Sequence, residues 1–165
     1  MANLFEPEFD EERKWQEFTY RRARLGRQSG AERIGASLYE LSPGAKGWTY
    51  HYQYGNEEML IVISGRPSLR TPDGWRDLEP GELVSFPRGP RGAHVVANRS
   101  EEPARYLMLS EMNAPDAMVY PDSNKVGVIS RPPGSPGDED ELAAWFRLDD
   151  QVDYWEGEQP LEPPQ

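Results

Sequence analysis

The chain has 165 residues, 36 % of them hydrophobic, and a net charge of −11, enough for one domain with a real core and short for two. An acidic surface repels phosphate backbones and anionic lipid, which argues against nucleic acid and membrane partners, and no stretch approaches the roughly 18 apolar residues of a spanning helix. Cysteine is absent, which excludes disulfides, thiolate nucleophiles and zinc–thiolate sites together.

The first residues, Met1 to Lys14, are acidic where a secretory signal is basic and then apolar, so a cytoplasmic protein is expected. Asp10 to Phe18 reads as two turns of helix with Trp15 and Phe18 as its apolar pair. From there a period of two dominates. Phe18 to Leu25 and Arg33 to Leu41 read as extended segments, and Ser42-Pro43-Gly44 as a turn. Gly47 to Tyr54 is aromatic and β-prone. Met59 to Ile63 is apolar on both faces, as in a strand covered on each side. Ser68 to Thr71 and Trp75 to Leu78 flank Pro72-Asp73-Gly74, a hairpin signal. Strands follow at Glu82 to Phe86, His94 to Asn98 and Arg105 to Leu109. After the acidic, Gly/Pro-rich linker Pro132 to Asp138, Glu139 to Phe146 reads as a second short helix, and the acidic, Pro-rich Glu156 to Gln165 as a frayed end. Eight or more short strands with close turn signals describe an all-β sandwich or barrel.

His51 and His94 are the only histidines. Both sit on predicted strands beside turns. Gln53 follows His51 by two residues and so shares its face. Glu58 opens the next strand, and if it faces inward so do Leu60 and Val62. The alternation through Met59 to Ile63 puts Glu57 on the other face, as a solvated turn residue. Trp48, Tyr50, Tyr52 and Tyr54 alternate with Thr49, His51 and Gln53, which predicts an outer aromatic row, and Asp153-Tyr154-Trp155 is expected to dock on it. Arg21, Arg22 and Arg24 are expected to pair with local carboxylates, and the acidic runs Glu6 to Glu12 and Asp138 to Glu141 to be solvated.

The stretch Gly47 to Gly65, GWTYHYQYGNEEMLIVISG, resembles the first motif of the cupin superfamily, in which a His-x-His pair is followed by four residues, a Glu, six residues and a Gly. Gln53, Glu58 and Gly65 keep that spacing. Gly81 to Asn98, GELVSFPRGPRGAHVVAN, resembles the second motif, with Pro87, Gly89, His94 and Asn98. SGRPSLRTPDGW and YPDSNKVGV are similar to a branch of small single-domain cupins mostly without assigned reactions. The resemblance covers Arg33 to Val128. It implies a cupin double-stranded β-helix, a jelly-roll-like barrel, over 31–130, with an N-terminal arm over 1–30 outside the core and a linker and loose C-terminal extension over 131–165.

Carried over residue by residue, the family's metal ligands fall on His51, Gln53, Glu58 and His94. Gln53 departs from the pattern, standing where the second His belongs, and four residues rather than two separate Gly89 from His94. Two imidazoles and one carboxylate form the facial set used by non-haem iron, and manganese, nickel, zinc and cobalt suit it almost as well. The expectation is therefore a metal-dependent enzyme with oxygenase, isomerase or lyase chemistry on a small polar metabolite. The alternative is a non-catalytic small-molecule-binding cupin whose metal site Gln53 has weakened. Four outward aromatics and a two-sided apolar strand further predict a homodimer, with the N-terminal arm in the contact.

Overall fold

The computed structural model describes residues 2–135, 137, 139 and 141–159. Thirteen strands alternate with one four-residue helix and short 3₁₀ turns. In chain order they are β1 (Glu11–Trp15), β2 (Phe18–Ala23), helix α1 (Leu25–Gln28), β3 (Ile34–Leu41), β4 (Tyr52–Gln53), β5 (Glu58–Ser64), β6 (Ser68–Thr71) and β7 (Gly74–Asp77). Then come β8 (Leu83–Phe86), β9 (Val95–Ala97), β10 (Ala104–Glu111), β11 (Asp116–Tyr120), β12 (Lys125–Ile129) and β13 (Ala143–Arg147). A six-stranded sheet, β1-β2-β3-β10-β5-β8, stands against a four-stranded sheet, β13-β12-β11-β4, and a three-stranded one, β7-β6-β9. Every pairing is antiparallel, as short loops demand.

The alternation read in the sequence is the alternation found. On β5, Glu58, Leu60 and Val62 face the barrel interior and Met59, Ile61 and Ile63 face out. Leu60 and Val62 join Tyr20, Tyr39, Leu41, Leu69, Phe86, Val96 and Tyr106 in the main core, which draws on both layers. The outer face of the large sheet is partly covered by Ala2, Leu4 and Phe9, which pack with Ala23, Leu25 and Leu38.

Three expectations are corrected. The helix expected over Asp10 to Phe18 is the β1–β2 hairpin, with Trp15 paired to Phe18 across the turn and Gln16 in the left-handed region. Glu11 carries an ion pair to Arg22, which lies directly opposite it, so cross-strand pairing overrides a weak helical preference. The segment expected to lie outside the core therefore supplies Tyr20 and Ala23 to it. Of the helix expected over Glu139 to Phe146, the part from Ala143 on is strand β13, paired to β12, and residue 140, like residue 138 of the expected acidic run, lies outside the described residues. Gly47 to Tyr54 forms only β4 and one isolated bridge, His51 to His94.

The predicted aromatic row is consequently broken. Trp48, 39 % exposed, donates from Nε1 to the Tyr39 hydroxyl at 2.8 Å, while Arg70 sits over Tyr50 and Tyr52 meets Tyr54 edge to face. Tyr154 and Trp155 pack on each other and stay 82 % and 72 % exposed rather than docking. The arginine expectation holds: Arg21 pairs with Glu40, Arg22 with Glu11, and Arg24 with Asp10 and Glu11. Part of the predicted frayed end, residues 160–165, lies outside the described residues.

Candidate metal centre

His51 and His94 are held face to face by two backbone hydrogen bonds, His51 N–H to His94 C=O at 3.1 Å and His94 N–H to His51 C=O at 2.9 Å. Their rings lie 4.9 Å apart. Each Nδ1 is 2.9 Å from a backbone carbonyl two residues earlier, Thr49 for His51 and Gly92 for His94. A carbonyl can only accept, so each Nδ1 carries the proton and each Nε2 keeps its lone pair for the pocket. Phe86 stacks on the His94 ring at 3.7 Å and fixes its plane.

Glu58 enters from β5 on the opposite layer. Its Oε2 stands 3.6 Å from His94 Nε2, and one donor atom each from His51, Glu58 and His94 all fall within 4.8 Å of one another. Bonds of about 2.1 Å place the donors of one ion roughly 3 to 4 Å apart, so the cluster is of the right scale. Gln53 is 6 % exposed, and its Oε1 is buried with no hydrogen-bond partner. Its side chain hydrogen-bonds Glu58. Two free Nε2 lone pairs and a carboxylate, with the Gln53 side chain against Glu58, fit a divalent ion of the borderline kind. Glu57 is exposed on the far face, as alternation required.

The electrostatics agree. Burial holds His51 below the ordinary histidine value, and burial together with His51 drives His94 down to about 3. Burial pushes Glu58 up to about 7, with Gln53 hydrogen bonding against the shift and the Asp116 charge adding to it. His94 and Glu58 are therefore not an ion pair at neutral pH despite their proximity. Because the folded value of Glu58 exceeds its unfolded value of 4.5, its protonation stabilises the metal-free fold below pH 4.5, and that stability is lost as pH rises through 7. Thermal melts of chelated protein should show a loss on the order of 3 kcal/mol over that window. Glu58→Gln should flatten the profile; an unchanged profile would put the titrating group elsewhere.

Sequence reading missed several groups around this cluster. Asp116, on β11, accepts hydrogen bonds from the Gly55 N–H and from Asn56 Nδ2, both at 2.8 Å, and braces the turn between β4 and β5. Tyr120 lies with its ring 6.0 Å from that of His51. Their signal was the alternation Asp116, Met118, Tyr120. Arg22, Tyr39 and Tyr106 fill the barrel behind Glu58, where Tyr39 stacks on Tyr106 at 5.1 Å and accepts from Arg22 at 3.2 Å.

Residues 37–110 match the family model of the cupin domain. The chain is thus similar to a cupin domain over those residues. No curated protein matches the sequence. Among solved structures, a protein provisionally named sugar phosphate isomerase from Acidithiobacillus ferrooxidans superposes with a TM-score of 0.70 at 24 % identity, over 81 % of this chain and 80 % of that one. A sugar phosphate isomerase of the cupin superfamily from Silicibacter pomeroyi gives 0.71 at 24 % identity, over 86 % and 98 %. The polyketide cyclase RemF from Streptomyces resistomycificus gives 0.52 at 22 % identity, over 67 % and 78 %. These likenesses establish the double-stranded β-helix fold. No helix among the described residues is long and apolar enough to cross a membrane.

Proposed function

We propose that this cupin is a metal-dependent enzyme acting on a small polar metabolite, with His51, Glu58 and His94 holding one divalent transition ion and Gln53 supplying a fourth donor. The observation that supports it is the clustering of donor atoms from His51, Glu58 and His94 within 4.8 Å of one another, with both Nε2 atoms unprotonated, beside a buried Gln53 whose amide oxygen has no partner. Iron, manganese, nickel, zinc or cobalt would each suit this donor set and would supply Lewis acidity toward a substrate oxygen. The protein's own part is orientation and exclusion of water: Phe86 and Tyr120 wall the pocket with aromatic faces, and Asp116 holds the loop that presents Glu58. Oxygenase, isomerase and lyase chemistry all fit such a site, and the names of two structural neighbours favour isomerisation. Turnover of sugar and hydroxy-acid substrates by metal-loaded protein, lost on chelation and restored by one ion, is the expected test result. Metal-loaded protein without turnover would support the second reading, a non-catalytic binding cupin, which the glutamine at the second-histidine position favours.

We further read the protein as a cytoplasmic homodimer. Absence of cysteine and acidic charge support the compartment. For the dimer, Leu4 and Phe9 cover only part of the large sheet's outer face, and Ile34 and Leu83 remain largely exposed on it beside Met59 and Ile61. An apolar sheet face left open suits an isologous contact. Light scattering at micromolar concentration should give twice the chain mass, and a monomeric mass would overturn the dimer.

A further inference from the structure

The four-stranded sheet carries the metal pocket's surface outward to the C-terminal strand. Gln53 pairs with Met118, Met118 with Gly127 and Gly127 with Trp145, which makes one row across β4, β11, β12 and β13. In the next row Tyr120 pairs with Lys125 and Lys125 with Arg147. Residues in register or two apart share a face, so both rows lie on the face that holds His51 and Gln53. Contacts confirm it. The Tyr120 ring faces that of His51 at 6.0 Å, and Trp145 donates from Nε1 to the Tyr120 hydroxyl at 3.3 Å. Trp145 also lies flat across Gly127, whose missing Cβ would come within 2.5 Å of the indole nitrogen.

Lys125 and Arg147 thus stand directly opposite each other on neighbouring strands, on the face that leads to the metal pocket. Like charges in that position repel. Among the described residues neither forms an ion pair, although the chain has 29 acidic against 18 basic residues. Lys125 Nζ instead lies 5.5 Å from the centre of the Tyr120 ring. Tyr120 and Trp145 lie beside these two cations on the same face. Two cations side by side match a dianion better than a single carboxylate.

We infer that Lys125 and Arg147 form an anion subsite, floored by Tyr120 and Trp145, that holds the phosphate-type dianion of the substrate while its reacting end lies at His51, Glu58 and His94. With strands about 4.8 Å apart, Lys125 lies two spacings from His51, about 10 Å, within the reach of a phosphorylated metabolite of a few carbons. The inference rests on the enzyme reading for its substrate but not for its anion, so the test separates the two.

Inorganic phosphate is titrated into chelated and metal-loaded protein at low ionic strength, followed by calorimetry and phosphorus NMR. The expected result is binding in both forms, competed by sulfate and far less by acetate. Lys125→Met and Arg147→Met should each weaken it about tenfold, the loss of one charge-assisted contact, and the double variant should abolish it. Lys125→Arg should retain binding, and unchanged circular dichroism shows that the variants fold. No phosphate binding by the parent overturns the subsite, as does binding that survives the double variant. Binding that needs the metal and ignores both cations also overturns it, because the anion then sits on the ion. Metal content, measured separately, judges the metal reading alone.

Discussion

Protein purified without chelator should carry about one divalent transition ion per chain by elemental analysis, and His51→Ala or His94→Ala should bring that to background. Each variant removes one of the two imidazoles in the cluster. Glu58→Gln should weaken binding more than Gln53→Ala, because it removes the one anionic donor of the set. Gln53→His should tighten binding by about tenfold or more, since imidazole is the stronger donor for a borderline ion and the Gln53 side chain lies against Glu58. Equal affinity for Gln53→His and the parent would mean that Gln53 serves Glu58 rather than the ion. Protein that neither carries metal nor takes it up on titration would sink the enzyme reading.

The cluster of His51, Glu58 and His94 was legible because its members sit on short-range patterns. Period-two alternation puts His51 with Gln53 and Glu58 with Leu60 and Val62, and the spacing from Gln53 through Glu58 to Gly65 resembles a known family. What was not legible depends on partners far along the chain. Asp10 to Phe18 reads as two turns of helix until Arg22 is known to lie opposite Glu11. Glu139 to Phe146 reads as helix until Trp145 is seen to pair with Gly127, whose missing Cβ leaves room for the indole. The aromatic row failed because Trp48 finds a buried hydroxyl acceptor, Tyr39, that alternation cannot reveal. Asp116 and Tyr120 were missed because their role comes from facing β4, about sixty residues earlier in the chain.

Glu11→Gln should destabilise the fold by about 3 kcal/mol, a drop of roughly 10 °C in melting temperature for a chain of this size. Arg22 points into the barrel with its side chain 9 % exposed, within 6 Å of the Tyr39 and Trp48 rings. Its counter-charge is Glu11, which also accepts from Arg24 and from the Tyr20 hydroxyl. Removing that carboxylate leaves a guanidinium buried without an anion, whereas Arg24 keeps Asp10 at 2.6 Å. Replacing both partners, Glu11→Gln with Arg22→Met, should recover much of the loss, because an apolar chain of similar length belongs among those rings. The pH profile follows the same contact. Burial pushes Glu11 up, but Arg22, with Tyr20 and Arg24, outweighs it and holds the carboxyl below its ordinary value. A carboxyl lowered in the folded state stabilises above its unfolded value of 4.5, and that contribution is lost as pH falls through the folded value. Acid melts of the parent should therefore steepen below pH 4.5 relative to Glu11→Gln. Equal melting temperatures for the single variant and the parent would show that the hydroxyls and aromatic faces around Arg22 satisfy its charge without Glu11.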